Sequence, residues 1–421
     1  MNVKSIGLAL VLAGAPLLAA CSLGGSSPSG ASTATGPIIV GELMPVSGKE
    51  AFVGTWFDTG ADAGIYAVNQ AGGVMGRQLQ FVLNDTGGDP VDAVPALHAL
   101  LLSSPSFVVG PSSLEILGVI KDFGADKLPD LMQGGTTALD TMNYPYVFRL
   151  NSSDSQLLAG EAYYALNSLH CTNASLMYED SSNGQDEVPP LVKAFTGNGG
   201  TILENLKLEP GASSYSSEVA TAFSKHPQCV FFHATPAEAS TLFANVKEQG
   251  DLNVHFITGD TGASIDLANA MGLSEASKWM TGTTGPTVDA DAVAAFTAAF
   301  TGRYPGQKPL NANASEGMYD AVVIAALAMS EAKTTDGSVW VNDIEKVSNP
   351  PGTACYTYPT CLALIQQGTK INYEGAATDD NFNQYHNVFS PESIVQFPAS
   401  GGTPQPILTI SEAQLSAMYK S

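Results

Sequence analysis

The chain has 421 residues and carries 17 Lys and Arg against 40 Asp and Glu, a net charge of −23. Such a surface repels nucleic-acid phosphates, and the few basic residues form no patch in sequence, so a nucleic-acid partner is excluded. The 42 glycines and 8% aromatic content fit a turn-rich chain of alternating strands and helices.

The first residues set the compartment. Lys4 precedes an apolar run, IGLALVLAGAPLLAA, that is short for a membrane span and has the build of an export signal. Leu18-Ala19-Ala20-Cys21 resembles a bacterial lipobox, which implies cleavage after residue 20 and lipidation of Cys21. Residues 21–36 are Ser- and Gly-rich and read as a flexible tether. No later run is apolar and long enough to span a bilayer, so the lipid chains would supply the membrane hold.

From Gly36 strand and helix patterns alternate. PIIVGEL reads as a strand, and GTWFDTGADAGIYAVNQ has helical spacing with Trp56 and Phe57 on its apolar side. QLQFVLND is a second strand and DPVDAVPALHALLLS a second helix. Phe107–Val109 and Leu131–Met132 are short apolar runs that end in hydroxyl and glycine clusters. In an open parallel sheet ligands sit at the carboxyl ends of strands. Ser112, Ser113, Gly135, Thr136 and Thr137 are therefore expected to offer hydroxyls and backbone N–H groups to a small anion such as a carboxylate. The competing assignment for each turn is an ordinary helix cap.

After Leu150 the alternation begins again, with ASLMYED, TILENLKLEP, CVFFHA and VHFITGD as strands. NGQDEVPPLVKAFTGNGG reads as a helix with an internal proline pair. A glycine/threonine stretch near Gly282–Pro286 predicts a return crossing, followed by two long helices. The tail is poorly periodic; IVQF and PILTI read as edge strands and EAQLSAMYK as a last helix. The βαβ order predicts an α/β fold of mostly parallel sheets with helices on both faces.

Four cysteines besides Cys21 allow three pairings. The short, proline-containing CYTYPTC favours Cys355–Cys361. Cys171 and Cys229 each precede a strand, and the starts of adjacent parallel strands lie side by side. No CxxC or HxxxH spacing supports a metal, and no cofactor is expected. No GxSxG, P-loop or dinucleotide fingerprint is present, so an enzyme is not expected. His233 ends an apolar strand and is assigned a structural role.

Several spread motifs occur in order: Pro45-Val46-Ser47-Gly48, Asn69-Gln70-Ala71-Gly72-Gly73-Val74-Met75-Gly76-Arg77, Asn84-Asp85 with Asp89-Pro90, Gly110-Pro111-Ser112-Ser113, Phe148-Arg149 with Asp154-Ser155-Gln156, and Tyr319-Asp320-Ala321. Over about residues 36–333 the chain thereby resembles type I periplasmic binding proteins of ABC importers, in the Leu/Ile/Val-binding branch. The resemblance implies two doubly wound αβα lobes joined by three hinge crossings, closing on a ligand between them. Lobe 1 is assigned to 37–150 and about 288–370, and lobe 2 to 151–287 and about 371–421.

The resemblance also implies site roles. Ser112 or Ser113 and Gly135 with Thr137 would hold a ligand carboxylate, and Asp260 its ammonium. Asn183 and Thr235 stand where the branch commonly has aromatic walls, which widens the ligand class beyond branched aliphatic amino acids. Trp56 is a candidate aromatic lip. The implied role is capture of an amino acid or related carboxylate by a monomer and delivery to a membrane permease. The alternative is a sensor of the same fold that signals through a partner.

Overall fold

The computed structural model describes residues 36–48, 50–259, 264–286 and 288–419. The export signal, Cys21 with most of the tether, and Asp260 lie outside the described residues.

The first lobe begins β1 (Ile38–Met44), α1 (Ala51–Gln70), β2 (Leu79–Asp85), α2 (Pro90–Leu101), β3 (Phe107–Val109), α3 (Ile116–Asp126), β4 (Asp130–Met132) and β5 (Val147–Arg149). Its strands form one parallel sheet in the order β2-β1-β3-β4-β5. All three residues of β3, of β4 and of β5 are buried, as expected of strands covered on both faces.

The chain then crosses into the second lobe. There it forms α4 (Asp154–Asn167), β6 (Asn173–Glu179), α5 (Ser182–Gly197), β7 (Thr201–Leu208), α6 (Ser216–Phe223) and β8 (Cys229–His233). It continues through α7 (Pro236–Gln249), β9 (His255–Thr258), α8 (Ile265–Met271), α9 (Leu273–Trp279) and β10 (Met280–Thr284). Local chemistry fixes these starts. Ser153 caps α4, and Thr235 with Glu238 forms a capping box on α7. The proline pair Pro189-Pro190 lies inside α5.

A second crossing returns to lobe 1 with α10 (Ala290–Arg303) and α11 (Ala312–Ala332), the latter buried along most of its length. The tail then adds α12 (Gly337–Trp340), α13 (Ile344–Ser348), β11 (Thr353–Cys355), α14 (Tyr358–Gln366) and β12 (Ile371–Tyr373). β11 and β12 pair as a separate parallel ribbon. Tyr358, Cys361, Ile371, Tyr373, Phe382 and Val388 all belong to the first lobe's core. The final crossing therefore falls after Val388, not at about 370 as the sequence suggested. The sequence gives no sign of this, because 374–391 lacks periodicity and is held by buried side-chain bonds.

β13 (Glu392–Gln396), β14 (Gln405–Ile410) and α15 (Glu412–Tyr419) complete lobe 2. β13 joins β10 antiparallel and β14 joins β13 antiparallel, giving the order β14-β13-β10-β9-β8-β6-β7. Disulfides join Cys171 to Cys229, at the starts of adjacent β6 and β8, and Cys355 to Cys361. Among the described residues no helix is long and apolar enough to cross a membrane.

Candidate functional site

The carboxyl ends of the parallel strands of both sheets face one cleft of about 610 Å3. Six of the expected residues line it: Trp56, Ser112, Ser113, Gly135, Asn183 and Thr235. The two hydroxyl turns lie side by side, since a Cβ added to Gly134 would sit 2.3 Å from the Ser113 backbone nitrogen.

The first turn is committed to its own helix start. The Ser112 hydroxyl and backbone N–H both donate to a Glu115 carboxylate oxygen, at 2.8 and 3.1 Å. Thr86 donates to the other Glu115 oxygen. Burial raises the Glu115 carboxyl above its usual range against these donors. The Ser112 donors are thus committed to Glu115, while Ser113, held at φ +29°, borders the cleft without such a partner among the described residues.

The second turn differs from expectation. Thr136 and Thr137 do not line the cleft. The Thr137 backbone N–H donates to Asp186 at 3.2 Å and the Thr136 hydroxyl does so at 3.3 Å. An anion does sit on this turn, but it is a carboxylate of α5, from the other lobe. Arg149 props the turn from beneath, donating to the Thr136 carbonyl at 3.0 Å and to Asp140 at 2.9 Å. Gly135 is pressed against α4: a Cβ there would come within 1.6 Å of Asp154 Oδ1, so a larger residue would have to displace that carboxylate.

On the lobe 2 side Thr235 is the N-cap of α7, its hydroxyl donating to Glu238 at 2.8 Å. Asn183 reaches the cleft from the first turn of α5. Sequence reasoning missed most of the remaining polar lining. Five carboxylates border the cleft (Glu50, Asp154, Glu179, Glu187 and Glu316) against Lys308 and His233. His233 pairs with Glu187 at 2.9 Å. Burial alone would lower the His233 pKa, but the charge and hydrogen bond of Glu187, helped by Glu179 and Glu50, raise it to about 10. Burial and the charge of Asp320 push Glu316 up to about 8. Phe52 packs edge-on against Trp56, with ring centroids 5.0 Å apart, and both border the cleft. The signal available in sequence was position: Asp154, Glu179 and His233 all stand at strand ends or just past them. No cluster of three or more His, Cys, Asp or Glu suited to a metal occurs among the described residues.

Two αβα lobes, crossed three times and facing each other over one cleft, define a solute-binding fold. The chain belongs to the periplasmic binding protein family, whose profile matches residues 37–351, and it has the type I fold. It is 23% identical over 266 residues to Leu/Ile/Val-binding protein homolog 1 of Brucella abortus, covering 62% of this chain and 69% of that one. It is 24% identical over 353 residues to the chemotactic signal transduction system substrate-binding protein BasB of Halobacterium salinarum, covering 81% and 82%. The crystal structure of the leucine-binding protein LivK of Thermotoga maritima has the same fold, with a TM-score of 0.73 at 16% identity over 89% of this chain and 99% of that one.

Proposed function

We propose that this protein is the lipid-anchored receptor of an ABC importer, held at the outer side of the cell membrane or envelope by Cys21. It captures a small polar solute between its lobes, closes by hinge motion and hands the solute to the permease. The cleft of about 610 Å3 between two lobes carries this reading, since it has the size and mixed lining of a small-molecule site. Closure needs contacts made better in one lobe arrangement than another, and residues of both lobes border the cleft. An amino acid remains within the ligand class for its ammonium end, because carboxylates line the cleft. Of the seats expected for its carboxylate, Ser113 borders the cleft uncommitted, whereas Ser112 is engaged by Glu115, Gly135 lies against Asp154 and Thr137 is engaged by Asp186.

A second reading is a sensor that signals through a membrane partner, favoured by the BasB relative and its signalling role. Native mass spectrometry of freshly isolated protein tests solute binding. The expected result is a small-molecule adduct lost on denaturation. Finding only the apoprotein, with no adduct from any growth medium, overturns it. Crosslinking to permease subunits rather than to a signalling receptor separates the two readings. Loss of membrane association in Cys21→Ala tests the anchor.

A further inference from the structure

We propose that the cleft is built for an organic cation without a carboxylate, such as a mono- or diamine with a short apolar body, an inference that rests on the solute-binding reading. Apart from Ser113, the seats that would hold a ligand carboxylate are already taken by carboxylates of the chain. Glu115 accepts both Ser112 donors, at 2.8 and 3.1 Å. Asp186 accepts the Thr137 amide at 3.2 Å and the Thr136 hydroxyl at 3.3 Å. Asp154 lies over Gly135 so closely that a Cβ there would meet its Oδ1 at 1.6 Å. A further anion brought to these turns meets like charge, which costs binding and rejects that ligand class.

The rest of the wall suits a cation. Glu316 borders the cleft from α11 and meets no donor among the described residues, so its carboxyl is open to a ligand N–H. It is shielded from bulk water on its other sides, and a positive partner there relieves the cost of that burial. Phe52 and Trp56 border the same space, and aromatic rings there suit an ammonium. Lys308, the cleft's lysine, is exposed at its rim and His233 is matched by Glu187, so Glu50, Asp154 and Glu179 keep the lining acidic.

The test uses the full exported protein, extracted in mild detergent, stripped of ligand by guanidinium dialysis and renatured in phosphate buffer. It is titrated calorimetrically with putrescine, agmatine, leucine and benzoate. The expected result is binding of an amine, weakened about tenfold or more in Glu316→Gln, with no heat from leucine or benzoate. Binding of leucine or benzoate with both amines silent overturns the cation assignment and leaves the solute-binding reading standing. Silence of all four also overturns it, and the native-mass adduct then decides the wider reading separately. An amine affinity unchanged in Glu316→Gln removes Glu316 from the site.

Discussion

The Asp186 carboxylate, near the start of α5 in lobe 2, accepts the backbone N–H of Thr137 in lobe 1 at 3.2 Å. The residues are 49 apart in sequence, and the Thr136 hydroxyl adds a second donor at 3.3 Å. The contact fills an anion-binding turn and ties the lobes together through one side chain. A charge-assisted bond of this kind is worth about 1 kcal/mol where water has partial access. Asp186→Ala is therefore expected to let the unliganded lobes separate further, raising the radius of gyration in small-angle scattering while the unfolding temperature changes little. An unchanged scattering curve rules out Asp186 as a lobe tie.

The ion pair of His233 and Glu187 makes stability depend on pH in a definite direction. The folded-state pKa of His233 is raised to about 10 from an ordinary 6.5. A raised histidine contributes stability that is complete below about pH 6.5, falls through the window between, and is gone above about pH 10. His233→Gln should thus cost roughly 2–4 kcal/mol at pH 6 and much less at pH 10. Denaturant midpoints of both proteins at the two pH values check this. A cost that is constant or grows with pH contradicts the pairing.

Much of the lobe architecture was legible because it is written locally. β-type runs, capping residues such as Ser153 and Thr235, and helical spacing all act over a few residues. The occupancy of the turns was not legible, because it depends on which way α5 rotates. Neighbouring Asp186 and Glu187 diverge, one to Thr137 in lobe 1 and the other to His233 in lobe 2. Only the assembled fold decides that division. Ser112 shows the reverse case: its partner Glu115 is only three residues on, a local pairing that the strand-end argument for a ligand seat passed over. The tail was hard to read because three-residue strands such as β11 and β12 carry no periodicity and are defined by their partners.

Asp320 holds that tail on lobe 1. From α11 it accepts the Tyr373 hydroxyl at 2.7 Å and the backbone N–H groups of Ala376 and Ala377 at 2.8 and 2.9 Å, all buried. Burial still lifts its carboxyl to about 6, against the pull of those donors. Asp320→Ala would leave three donors without an acceptor, at a cost of about 3–5 kcal/mol. Chemical denaturation should show that loss, and limited proteolysis should find new cleavage between residues 370 and 390. A loss below about 1 kcal/mol, within the range of an ordinary single hydrogen bond, is incompatible with this role.

The two disulfides should differ in worth because they close loops of different length. Cys171–Cys229 spans a separation of 58 residues and joins two neighbouring strands of lobe 2, whereas Cys355–Cys361 spans 6. Chain-entropy reasoning assigns about 4 kcal/mol to the long loop and about 2 kcal/mol to the short one. Paired Cys→Ala replacements therefore rank in that order in denaturant unfolding. Both half-cystines of the long loop are buried, at 2% and 0% exposure, so the alanines also lose packing and widen the gap. The short bridge joins Cys355 of β11 to Cys361 of α14, both in the core at 4% and 0% exposure, so its loss should act mainly on the tail. Equal destabilisation by the two pairs would mean that native packing, not unfolded-chain entropy, sets their value.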